Sequence, residues 1–524
     1  MMKQVKILSA VLGCVCACAV FAASPKVMVY MFDGARGDIF EAIDAPAWKM
    51  LKENAWAEGY RAAWSVCAEV EPYSETSSAP NHTTIATGKL VQNHKVPNNK
   101  LFSNFDMAST PTWLERIARR FPQKSTLFAF SWRPDLTLMQ RTGRYIVLGG
   151  SDVSNNLALA EILRRADAPD AILVFDDALD GGGHGTGFYP FTPAYLKAGR
   201  ESMARLENLL KVIKARSSFA DEDWLIVLCS DHGGIRKTHG LSGGQCSTVP
   251  LLYCGKSVPA GVLAGRPGNL DIAAQVLRHF GLADEVAQLD GRAELAASPA
   301  PPKRPVAEGL LYDLAVKDGK VVNTAPDAAK YGVTARGELV IGDGFFSTAK
   351  GGCVALDGLR NFSGKAFTFA LTLKCDLDKV KGDPAIFSNK NWINGFNPGF
   401  ALVARKGSIG FNISSRKDAK PDYIVTRPGR MDLSAVLFGA DEKTMIAVSL
   451  DPAGNLTVFQ RSGSSGYANW FAVSAADVIP HSTLEWIIGQ DGTGKYKSSA
   501  AIEVSGFRFW NRALTIDELR ELKL

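Results

Sequence analysis

AILVFDDALDGGGHGTG, residues 171–187, holds the reading that decides the fold. Its first five residues are apolar, too few for a helix, and they run directly into acidic residues and a glycine cluster that sets Asp180 and His184 four apart. A continuous apolar strand is one covered on both faces. The pattern recurs in KVMVYMF (26–32), which ends on Asp33, and in DWLIVLCS (223–230), which ends on Asp231 and His232 with His239 a short turn later. STLFAF (125–130) and TVPLLYC (248–254) are further short apolar runs, while AYLKAGRESMARLENLLKVIKA (194–215) and NLDIAAQVLRHFG (269–281) have helical periodicity. This alternation predicts an α/β sandwich with a mostly parallel central sheet over residues 24–295. Ligands in such folds bind at the carboxyl ends of the strands, where these acids and histidines fall.

The 524 residues are too many for one typical core. Residues 1–23 read as an export signal, with a basic start, an apolar stretch from Ile7 to Val20, and small residues at Ala22 and Ala23 for cleavage. Export to the periplasm, the medium or the cell surface follows; Gly13-Cys14 and Ala17-Cys18 offer a lipid-anchored alternative. No later segment is apolar for the length of a membrane span. Six cysteines beyond the signal permit disulfides in an exported chain without specifying them. The 59 basic and 53 acidic residues are spread along the chain, which speaks against nucleic acid as a structural partner.

AASPAPPKRPVAEG (296–309) has linker composition and divides the chain. Beyond it, AFTFALTLKC, GFALVAR, TMIAVSLD, NLTVFQR and AIEVSGFRFW alternate with a period of two between Gly, Asn and Asp turns, predicting an antiparallel β-sandwich over 310–524.

Three of the seven histidines stand with aspartates at successive strand ends. Imidazole and carboxylate together are a zinc donor set, and enough donors are present for two ions, an arrangement suited to phosphoryl transfer. TSSAPNHTTIATGK (76–89) adds hydroxyls beside a helix start, where free N–H groups favour an anion. Ser78 is the candidate nucleophile, with Ser77 and Thr76 behind it; ordinary N-capping by Ser78 is the bland alternative.

These motifs, Asp33 after a strand, S-A-P-N-H (78–82), D-x-x-G-H-x-x-G (180–187), S-D-H-G (230–233) and H-G (239–240), resemble the alkaline phosphatase superfamily and, within it, the type I phosphodiesterase/nucleotide pyrophosphatase family. The resemblance implies that Asp180, His184 and His239 hold one zinc ion. It gives Asp33, Asp231 and His232 to the other, with Ser78 bridging to it and forming a covalent phospho-intermediate. Asn99 falls where the family binds a phosphate oxygen, and Lys95 replaces a glycine usual in that loop. His82 is placed as support, not as a ligand. Ser stands at 78 where the diesterases commonly have Thr.

Within the superfamily, a sulfatase is disfavoured because the arginine of its C/S-x-P-S-R motif is missing, and a phosphomonoesterase is the nearer alternative. Trp132 and Arg133 in FSWRPDL are candidates for substrate contact, on a small-molecule or glycan-linked phosphoester. The ending GFRFWNRALTIDELREL resembles a concanavalin A-like or laminin G-like jelly roll. That likeness implies a glycan or cell-surface ligand for the second domain, for which Trp392, Trp470 and Trp486 could form a stacking face or, alternatively, pack in the core. An adhesion protein whose α/β domain has lost activity is the reading from a different class.

Overall fold

The computed structural model describes residues 23–524 except 191, 241–243, 266, 301, 361, 363, 365, 396, 416–430, 435–441, 453–454, 463–464, 473–477, 480–481 and 497–499. The expected signal, 1–23, lies almost wholly outside the described residues.

The first sheet contains β1 (Ser24–Phe32), β2 (Arg61–Glu69), β3 (Ser125–Phe130), β4 (Arg144–Leu148), β5 (Ala171–Asp176), β6 (Glu222–Cys229), β7 (Thr248–Gly255), β8 (Gly261–Leu263) and β9 (Ala297–Ser298). Their order is β4-β3-β5-β1-β6-β7-β2-β8-β9. Strands β4 to β6 of that order are mutually parallel, whereas β7 is antiparallel to both β6 and β2, so the sheet is mixed. The physical reason for the unbroken apolar strands is visible in β1. Met28, Tyr30 and Phe32 enter one core while Val27, Val29 and Met31 enter the other, because successive side chains leave a strand on opposite faces.

Helices cover both faces. Pro193–Lys214 buries Tyr195, Met203, Leu206, Leu210 and Ile213 on one side. Ser78–Thr87, Trp113–Arg120 and Ile272–His279 close the other with Ile85, Trp113, Ile117 and Val276. Four strands escaped the periodicity. β2 and β4 are half-exposed in places, β8 is three residues long and β9 two. The proline-rich stretch begins inside the fold, since Ala297–Ser298 pairs with β8.

Beyond residue 309 two antiparallel sheets face each other. Phe367, Phe369, Leu371 and Leu373, alternate residues of one strand, fill the space between them with Phe400, Phe411, Phe507 and Phe509. Trp486 is fully buried among these rings, and Trp392 is 8% exposed in a small cluster with Ala385 and Val403, so neither offers a sugar-stacking face. The Trp470 side chain lies outside the described residues. The final helix, Ile516–Glu521, is capped by Thr515 and Glu518 reciprocally. Its Leu519, with Trp510 and Leu514, packs where Val66 and Cys67 of β2 reach the second domain. No helix among the described residues is long and apolar enough to cross a membrane. The six cysteines among the described residues are free thiols.

Candidate active site

The carboxyl ends of β1, β5 and β6 lie side by side, and tight backbone joints stitch them together. Asp33 N–H donates to Asp176 O at 2.8 Å, Gly34 N–H to Asp231 Oδ1 at 3.0 Å, and Ala35 N–H to the Ser230 hydroxyl at 2.9 Å. Gly34 has φ +74°, and a Cβ there would stand 2.9 Å from the Asp180 Cα, so only glycine lets the two strand ends close up. Gly183, beside His184, and Gly234, after His232, answer to packing as well: a Cβ on either would enter the Phe188 ring. Below this joint, Arg36 grips Asp38 with both fork nitrogens and donates to Phe188 O, while the Tyr195 hydroxyl donates to Gly34 O.

On that frame the predicted donors converge. Asp180 and His184 share one face of the helix Ala178–Thr186, with His184 Nε2 3.3 Å from Asp180 Oδ2. His239 Nε2 is 3.6 Å from Asp180 Oδ1 and 3.1 Å from His184 Nε2. His232 Nε2 stands 3.4 Å from Asp33 Oδ1 and 3.1 Å from Asp231 Oδ2. The His232 and His239 rings stack at 4.0 Å and join the two groups. The outer group opens to solvent, His184 being 46% exposed, whereas Asp33, Asp231 and His232 are buried.

Such crowding of carboxylates shows in their acidity. Burial first, then Asp231 and Asp180, hold Asp33 well above the usual carboxyl range, and burial also raises Asp180. Burial and the His232 ring push His239 down to about 3. Asp33 Oδ1, Asp180 Oδ1 and Asp231 Oδ2 are buried with no hydrogen-bond partner among the described residues. Buried acceptors without donors are costly, and divalent cations are the partners that a set of carboxylates and imidazoles takes. The residues therefore fit the ions that the motifs imply.

Ser78 opens the helix Ser78–Thr87, with Ser77 rather than Ser78 in the N-cap position. Its hydroxyl is 3.3 Å from His232 Nε2. Asn81, fully buried, donates to Glu75 O and Ser77 O and accepts from Glu71 N–H, which clamps the backbone leading to Ser78. Asn99 reaches the same place from its own loop, where Oδ1 accepts the Ala79 N–H at 2.8 Å. Lys95 keeps a left-handed φ of +64°, the conformation for which glycine is suited. Trp132 stacks on Phe102 and meets His82 edge-on. Exposed Arg133 lines a cleft of about 610 Å³ with Phe130, Leu136 and Val147.

Read from the sequence, His82 has only a supporting place at this centre, and Asp135 is not assigned there at all. The His82 ring points its Nε2 at the Asp33–Asp231 pair, and buried Asp135 holds the other ring nitrogen at 2.8 Å. The i, i+4 spacing from Ser78 was the available signal for His82; nothing in the sequence around Asp135 gave one.

No protein-family model matches the chain, and no curated protein does. Among solved structures, it resembles murine ectonucleotide pyrophosphatase/phosphodiesterase 5, in an inactive form in complex with AMP, at 20% identity and a TM-score of 0.32, over 40% of this chain and 57% of that one. The binding domain of botulinum neurotoxin DC in complex with SialylT is similar at 11% identity and a TM-score of 0.31, over 41% of this chain and 51% of that one. The chain thus spans little more than half the length of these structures.

Proposed function

We propose that this protein is an exported, metal-dependent phosphoric ester hydrolase, a two-zinc phosphodiesterase acting through a phosphorylated Ser78. One observation carries the proposal: the Ser78 hydroxyl sits 3.3 Å from His232 Nε2 at the edge of a cluster of buried, unpartnered carboxylate oxygens. The outer donors are Asp180, His184 and His239, and the inner ones are Asp33, Asp231 and His232. A cation pair held there supplies charge stabilisation for the attacking and leaving oxygens and lowers the pKa of a coordinated hydroxyl.

The chain's own residues do the rest. The Asn81 clamp fixes the Ser78 backbone, so the hydroxyl is presented at the helix N-terminus, where N–H groups and the helix dipole favour the phosphate anion. Ser78 Oγ attacks phosphorus in line and the ester alcohol departs opposite; water then cleaves the phosphoserine with the same geometry. Asn99, anchored by its Oδ1, keeps its amide N–H groups for a phosphate oxygen.

The cleft lined by Arg133 is the space we assign to a second ester substituent, and it favours a diester over a monoester. Its Ser131 donates to Asp152 Oδ1, which also accepts the Asp177 N–H at the start of the helix bearing Asp180. A second ester substituent needs such a space, and an apolar wall with one guanidinium suits it. The test is hydrolysis of bis-p-nitrophenyl phosphate, p-nitrophenyl phosphate and p-nitrophenyl sulfate by the zinc-loaded protein, with a Ser78→Ala control. Diester preference lost in the variant is expected; monoester or sulfate preference overturns the class, and no turnover at all favours a binding protein.

A further inference from the structure

Four imidazoles, not three, surround the cation centre in the same manner. His184 donates its Nδ1–H to Lys237 O, His232 to Gly233 O, His239 to Thr76 O, and His82 to Asp135 Oδ1. In each case the acceptor fixes the tautomer and leaves Nε2 facing the acids. A histidine that ligates a metal through one nitrogen characteristically donates the other N–H to a carboxylate or carbonyl, and His82 has the charged partner. We propose that His82 is itself a ligand of the inner cation, with Asp33 and Asp231, in addition to the donors assigned above. The proposal rests on the two-cation reading.

The geometry supports a donor rather than a hydrogen bond. His82 Nε2 is 3.1 Å from Asp33 Oδ2 and 3.3 Å from Asp231 Oδ2, yet it forms no well-directed hydrogen bond and is buried. Those separations match the edge of a tetrahedron built from zinc bonds of about 2.0 Å, which is about 3.3 Å. His232 stands at nearly the same distances from the same two acids, at 3.4 and 3.1 Å. One cation between the ring nitrogen and the two carboxylates would satisfy all three in this water-excluded place. Asp135, whose Oδ1 meets His82 Nδ1 at 2.8 Å, has its place explained as the residue that orients His82. Ser78 and His82, one helical turn apart on the same helix, would put nucleophile and ligand under one rigid support.

Cobalt-loaded protein tests this without relying on activity, because the imidazole N–H proton of a bound histidine gives a hyperfine-shifted proton resonance. The full-length protein should bind two ions, and His82→Gln should lose one such resonance and release the inner ion at least about 100-fold faster to a chelator. Asp135→Asn should keep two ions, move only the His82 resonance and speed release by about 10–100-fold. If His82→Gln misfolds or loses the inner ion outright, Asp135→Asn decides. An unchanged set of shifted resonances in either variant with both ions bound overturns the proposal while leaving the two-cation reading intact. Fewer than two ions in the native protein overturns both.

Discussion

Acid should loosen the loop that presents Asn99, through His94. This ring is 1% exposed and sits between the helix Ser78–Thr87 and the Asn99 loop: Nδ1 accepts the Val96 N–H at 3.1 Å, and Nε2–H points to the Thr84 hydroxyl at 3.2 Å. A second proton would have to go onto Nδ1, where the Val96 N–H already points. Burial accordingly pushes the group down to about 4, against 6.5 for a free imidazole. Between those values the unfolded chain takes up a proton that the folded chain refuses. The stabilisation is complete above pH 6.5 and is lost as the pH falls to 4. The gap corresponds to about 3 kcal/mol in full, and to about 2 kcal/mol by about pH 5. Histidine NMR titration should find His94 neutral at about pH 5, and urea unfolding of the α/β domain should show wild type losing about 2 kcal/mol more than His94→Gln between about pH 7 and pH 5. A His94 that titrates near 6.5, or equal losses in the two proteins, would refute the reasoning.

On the proposed reading, replacing Asn99 with Ala removes the donor assigned to a phosphate oxygen and should lower kcat/KM for the diester about 100-fold while leaving the metal content unchanged, as measured by metal analysis. Trp486→Ala should cost the β-sandwich about 3–5 kcal/mol, seen as a lowered thermal transition of that domain. Asp176→Asn breaks a buried set in which Arg205 donates twice, Tyr30 and Ser202 once each, and should cost the α/β domain about 3–5 kcal/mol in chemical denaturation.

Much of the candidate site could be read in the chain because its donors follow strand ends, and strand ends are the positions that apolar runs mark most clearly. Asp33, Asp180, Asp231 and His232 all come directly or within one helical turn after β1, β5 or β6. His239 and Ser78 came from motif order rather than periodicity. β2 escaped because it is half-exposed in places and carries polar residues, and TVPLLYC gave a strand without its direction. An apolar run records that both faces are covered, and parallel and antiparallel neighbours cover it equally well.

The sequence by itself determined the two-part architecture, the sheet covered on both faces and the identity of most acids and histidines at its rim, since these depend on local pattern and on which residue types can bind a cation. Tertiary structure alone decided which donors meet. It put Asp33 within 3.4 Å of His232 across 199 positions of chain, and it turned His82 toward the acids by means of Asp135, 53 residues away. It also placed Trp486 in a core rather than on a face. Ring orientation depends on what packs against both sides of the ring, and those partners come from segments whose separation along the chain carries no periodic signal.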